Sequence, residues 1–128
     1  MSDKPIKLLV VDDEEDILSE TMEIFEKKGF QVFAVPESDS ALEIFRKESP
    51  QICILDVHMP KSKLDGIGVL EEIRKLDKAS YCIMLSRVDD EEKIAAARRL
   101  GANRYVLKPI DFSELLQLVN EAAKEVTR

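Results

Sequence analysis

Five short apolar runs alternate with five longer stretches whose apolar residues recur at helical spacing, and this alternation constrains the fold more than any other feature. The runs occupy 6–11, 30–35, 52–55, 81–85 and 104–107. They are too short for buried helices, and 6–11, 52–55 and 81–85 are nearly unbroken in apolar character, as in strands covered on both faces. Between them, 14–28 aligns Ile17, Leu18, Met22 and Phe25 before a helix stop at Gly29. Ser38 serves as a candidate N-cap for a second helix carrying Ala41, Leu42 and Phe45. Helices follow at 66–76 (Val69, Leu70, Ile73), at 89–99 before Gly101, and at 112–126 (Phe112, Leu115, Leu116, Val119, Ala122, Ala123, Val126). Strands that alternate with helices are joined by right-handed crossovers into a parallel sheet with helices on both faces. The expected architecture is an α/β three-layer sandwich, one domain over 1–128 with its core at about 6–126. A chain of 128 residues is long enough to support that core without disulfides or metal.

Composition narrows the functional classes. At 45% apolar and 35% charged residues, the chain is too hydrophobic to stay disordered. Its 26 Asp and Glu against 19 Lys and Arg give a net charge of −7, which opposes direct nucleic-acid binding and attraction to anionic lipid. There is no membrane-length apolar run, and the Met-Ser-Asp-Lys-Pro start lacks an apolar signal region, so a cytoplasmic location is expected. Cys53 and Cys82 sit inside apolar runs without metal or redox spacing and read as inert buried thiols.

The chemistry lies where the strands end. Open α/β sheets bind ligands beyond the carboxyl ends of their strands. Here those ends carry Asp12 and Asp13, Asp56, Ser86, and Lys108 with Pro109. Three neighbouring carboxylates need a proton or a cation to coexist, and an all-oxygen set suits Mg²⁺. Such an ion keeps open positions for phosphoryl oxygens, and Asp56, on the expected central strand, is the best-placed nucleophile for an aspartyl phosphate. Lys108 and Ser86 supply charge and a hydroxyl for phosphoryl transfer, which depends on positioning and neutralisation. Asp16, Asp39, Asp65, Asp77, Asp89 and Asp90 fall in loops or first helical turns and read as caps. His58, the single histidine, reads as a loop residue at the rim.

These residues resemble a response-regulator receiver domain of the CheY-like, flavodoxin-like type. The resemblance rests on Leu-Val-Val-Asp-Asp-Glu (9–14), Ile-Leu-Asp-Val-His-Met-Pro (54–60), Asp-Gly (65–66), Met-Leu-Ser (84–86), Leu-Gly-Ala (100–102) and Tyr-Val-Leu-Lys-Pro (105–109). It implies strand order 2-1-3-4-5 and Asp56 as the residue phosphorylated by a histidine kinase or phosphotransfer protein. It further implies Mg²⁺ held by Asp12, Asp13, Asp56 and the main-chain carbonyl of His58. Ser86 becomes the switch hydroxyl, Tyr105 the switch aromatic, and Lys108 the phosphoryl partner ahead of a cis bond to Pro109. Tyr105 also has a plain reading as a half-buried strand aromatic. The implied output surface for a downstream protein is formed by the fourth helix, fifth strand and fifth helix, with phosphorylation-dependent dimerisation as a variant. The last helix reaches 126, so output is expected through protein contacts rather than an attached effector.

Three departures from the family pattern stand out. Arg87 follows the switch hydroxyl where the family carries a small residue. It is expected to obstruct small phosphodonors, shield the acyl phosphate and slow its hydrolysis, or contact the phosphoryl group; alternatively it turns outward to Asp89 or Asp90. The segment 59–66 is two residues longer than the usual Met-Pro-x-x-Asp-Gly, which suggests a bulged or mobile loop. His58 occupies a variable position two residues beyond the acceptor. Two other functional classes compete: a phosphorylation-independent scaffold and an aspartate-nucleophile phosphohydrolase. The second is opposed by His58, which stands where such hydrolases need an acid.

Overall fold

The computed structural model describes residues 4–87 and 89–127. It alternates β1 (Lys7–Val11), α1 (Glu15–Lys27), β2 (Gln31–Val35), α2 (Ser38–Glu48), β3 (Ile52–Asp56), α3 (Gly66–Leu76), β4 (Tyr81–Ser86), α4 (Glu91–Arg99), β5 (Arg104–Leu107) and α5 (Phe112–Val126). The five strands form one parallel sheet in the order β2-β1-β3-β4-β5, the flavodoxin-like arrangement that the family resemblance implies.

Two-residue periodicity divides each central strand between two cores. Leu9, Val11, Cys53, Leu55, Cys82 and Met84 face α2, α3 and α4, where Phe45, Leu70 and Ile73 pack on them. Leu8, Val10, Ile52, Ile54, Ile83 and Leu85 face α1 and α5, where Phe25, Leu115 and Val119 close the opposite layer. This is why the central runs are continuously apolar. Cys53 and Cys82 are register partners and both are buried as free thiols.

Several element ends differ from the sequence expectation. Strands β3 and β4 run one residue further, so that Asp56 and Ser86 are themselves the last strand residues. Helix α4 begins at Glu91 because Asp90 caps it, accepting from the N–H groups of Glu92 and Lys93. Ser38 is not the cap of α2. Glu37 takes that role through the Ser40 N–H, and Ser38 is fully buried against the 59–66 loop. Edge strand β5 is only half covered, and α4 buries only Ala97 among its residues.

Candidate functional site

Because β1, β3 and β4 are adjacent and parallel, their carboxyl ends bring Asp12, Asp13, Asp56 and Ser86 to one edge of the sheet. The loop after β5 adds Lys108, whose peptide bond to Pro109 is cis. Asp12, Asp56 and Ser86 are buried, at 2%, 1% and 0% exposure. Each of the three aspartates offers an oxygen lying within 4.8 Å of the others. Lys108 Nζ donates to Asp12 Oδ2 at 2.9 Å and stands 3.5 Å from Asp56 Oδ1. The Glu14 N–H holds Asp12 by its other oxygen at 2.9 Å.

One lysine does not balance three carboxylates. Burial, followed by repulsion from Asp12, pushes the Asp56 carboxyl up to about 6 against the pull of Lys108. Asp13 Oδ1 and Asp56 Oδ2 are buried without a hydrogen-bond partner among the described residues. Unsatisfied carboxylate oxygens are costly to bury, and a hard divalent ion among these three residues would satisfy them. The donor set therefore fits Mg²⁺. The His58 N–H reaches Asp56 Oδ1 at 3.4 Å, so the backbone of that loop lies against the acceptor carboxylate.

The other side chains singled out in the sequence divide between the site and its rim. The His58 ring, half-buried, shares a hydrogen bond with the Ser86 hydroxyl (Nε2 to Oγ, 3.2 Å). Tyr105 lies on β5, one strand from Ser86, with its hydroxyl buried and without a partner among the described residues. Arg87 is exposed but pairs with neither Asp89 nor Asp90; its guanidinium meets the Glu14 carboxylate across the cleft. The two residues line a cavity of about 500 Å³ with Asp12, Asp56 and Lys108. Glu14 was not foreseen as part of the site. Its place directly after the aspartate pair was the available signal, obscured because the same position opens a helix.

Hydrogen bonds tie the 59–66 loop to the start of α2. The Ser38 N–H donates to Ser62 Oγ at 2.8 Å, the Leu64 N–H donates to Ser38 Oγ at 3.1 Å, and the Ser62 N–H closes a turn on the Met59 carbonyl at 3.0 Å. The longer segment thus supplies its own anchors. Asp65 then caps α3 through the Gly68 N–H and pairs with Lys93 of α4 at 2.8 Å.

The sequence profile of the response regulator receiver domain matches residues 8–120. The chain belongs to this family. Among curated relatives, the receiver domain is 31% identical to sporulation initiation phosphotransferase F of Bacillus subtilis, over 90% of this chain and 91% of that protein. It is 40% identical to a probable transcriptional regulator, ycf27, of Galdieria sulphuraria, over 85% of this chain and 42% of that protein. The chain therefore spans under half the length of the latter relative and nearly the whole of the former. A CheY-like response regulator receiver domain protein from Methanospirillum hungatei superimposes with a TM-score of 0.91 at 26% identity, covering 96% and 97% of the two chains. Receiver domains are signalling domains of two-component systems rather than conventional enzymes. Among the described residues, no helix is long and apolar enough to cross a membrane.

Proposed function

We propose that this receiver domain accepts a phosphoryl group on Asp56 from a histidine kinase or phosphotransfer protein and thereby alters a protein-binding surface formed by α4, β5 and α5. The observation that carries this reading is Asp56 itself: buried, with one oxygen unpartnered, inside a three-carboxylate cluster beside the Lys108 ammonium. In the transfer, an ionised Asp56 oxygen attacks the phosphorus of a phosphohistidine. The O–P bond forms as the P–N bond breaks, and the imidazole leaves with that electron pair and takes up a proton. Asp12, Asp13 and Asp56, with the His58 main-chain carbonyl, would hold Mg²⁺, which when bound would neutralise charge on the phosphoryl oxygens. Lys108 moves from its carboxylate partners to a phosphoryl oxygen, and the Ser86 hydroxyl leaves His58 to donate to another.

The output surface is supported by its light packing. Strand β5 is half-exposed, Leu107 is 45% exposed, and α4 buries Ala97 alone. Few buried contacts hold this region, so its conformation is easily rebiased.

The test is an amide NMR titration with Mg²⁺ and then beryllofluoride, a phosphoryl mimic, for the wild type and Asp56→Asn. Shifts at residues 56, 86 and 108 that spread to Tyr105, α4 and α5, and vanish in the variant, are expected. Absence of any response in the wild type would favour the phosphorylation-independent scaffold.

A further inference from the structure

Arg87 and Glu14 belong to loops on opposite sides of β3. Glu14 lies two residues beyond Asp12 at the end of β1, and Arg87 directly follows Ser86 at the end of β4. Adjacent strands are about 4.8 Å apart, so a contact between these loops has to pass over the end of the strand between them, where Asp56 sits. The ion pair forms there, and both residues line the cavity that contains Asp56. Local folding does not require the pair. Glu14 occupies the N-cap position of α1 but gives its N–H groups no side-chain hydrogen bond.

We propose that Arg87 is a phosphoryl ligand held in reserve by Glu14, a role that rests on Asp56 being the phosphoacceptor. Phosphorylation adds negative charge to the cavity that the pair lines. Lys108 is already engaged with Asp12 and Asp56, and Arg87 is the one other cationic side chain among the described residues lining the cavity. Its present partner holds it weakly, because side chains 54% and 41% exposed form a solvent-screened pair. A guanidinium binds phosphate oxygens through a planar fork, shorter and stronger than a screened contact to one carboxylate. Arg87 therefore exchanges Glu14 for the phosphoryl group when that group arrives. In the exchanged position it covers the phosphorus against in-line attack by water and draws on the loop that leads into α4.

The experiment measures Mg²⁺-dependent beryllofluoride affinity for the wild type, Arg87→Ala, Glu14→Gln and the double variant, with unfolding curves to confirm that each is folded. Loss of one charge-assisted contact is expected to weaken binding about tenfold in Arg87→Ala. Glu14→Gln, which frees the guanidinium, tightens binding by about threefold. In the double variant the Glu14 effect disappears and affinity equals that of Arg87→Ala. Equal or tighter binding by Arg87→Ala overturns the proposal, and tighter binding makes Arg87 an obstruction. A Glu14→Gln effect that persists without Arg87 overturns it as well. Asp56→Asn separates the two levels: if the wild type binds the mimic and Asp56→Asn does not, the phosphoacceptor reading survives whatever Arg87 does. If the wild type fails to bind, both readings fall.

Discussion

Replacing Asp56 by Asn is expected to stabilise this protein at neutral pH in the absence of divalent ions, although it removes the central functional group. Burial and the charge of Asp12 raise the Asp56 carboxyl from an ordinary 3.8 to about 6. In the unfolded chain the same carboxyl ionises freely. The folded state thus binds the proton more tightly, and stability is lost as pH rises from about 4 to about 6. At roughly 1.4 kcal/mol per pH unit the gap corresponds to ~3 kcal/mol. The cleft opens to water beside Asp56, and screening reduces this to about 1.5 to 2 kcal/mol. Asn keeps the shape and an acceptor oxygen for the His58 N–H but carries no charge. Urea unfolding in EDTA at pH 7.5 should place Asp56→Asn above the wild type by that amount, with the difference largely gone near pH 4. Mg²⁺ should then stabilise the wild type, by about 2.7 kcal/mol at one hundred times its dissociation constant, and the variant much less. A variant less stable than the wild type at pH 7.5, or a difference independent of pH, would refute the electrostatic account of this cleft.

Other perturbations test the scaffold around it. A Cβ at Gly66 would lie 2.2 Å from the Asp56 carbonyl oxygen, so Gly66→Ala should cost about 3 kcal/mol or more in urea unfolding and shift the amide resonances of 56–58. Ser38→Ala removes the acceptor for the Leu64 N–H in a buried setting; a loss of about 1 to 3 kcal/mol and faster hydrogen exchange at Leu64 are expected. Burial raises the Asp65 carboxyl, but Lys93 and the Gly68 N–H outweigh it and hold the group below the usual range. Its stabilisation is present above the ordinary carboxylate pKa and lost as pH falls through the lowered one. Asp65→Asn should therefore be less stable than the wild type at pH 7, and the difference should shrink on acidification.

How much of this was legible in the sequence depended on whether a residue's role was local. The strands announced themselves because a parallel sheet buried on both faces needs continuous apolar runs, and 52–55 and 81–85 supply them. The converging carboxylates were also legible, since strand ends in such a sheet share one edge. Contacts between loops were not. Arg87 had Asp89 and Asp90 beside it in sequence, yet its partner is Glu14, 73 positions away, because only the strand order sets those two loops across from each other. Ser38 carried the residue type of a cap, but its hydroxyl serves Leu64, 26 positions away, and so ties the longer 59–66 loop to α2. Local chemistry named candidates, and topology chose among partners.

The same topology bears on whether phosphorylation can switch the domain. Moving a two-state equilibrium from 1:99 to 99:1 takes about 5.5 kcal/mol. Phosphoryl contacts from Ser86 and Lys108, at roughly 1.5 to 3 kcal/mol each, give about 3 to 6. Ser86 first gives up its bond to His58, which removes about 0.5 to 1.5 kcal/mol, and Lys108 gives up its bond to Asp12, so two contacts fall short. A third from Arg87, at about 1.5 to 3 kcal/mol, brings the requirement inside the upper part of the range. Tyr105 lowers the requirement from the other side. Its hydroxyl is buried and unpartnered among the described residues in this conformation, a cost of about 1 to 3 kcal/mol that is relieved if the ring turns to where its hydroxyl meets water or a partner. Tyr105→Phe should then stabilise the present conformation by about 1 kcal/mol in urea unfolding and, through linkage, weaken beryllofluoride binding about fivefold. If Tyr105→Phe leaves stability unchanged, or tightens binding of the mimic, the ring is strand packing alone and the coupling to α4 runs through the Ser86 loop without it.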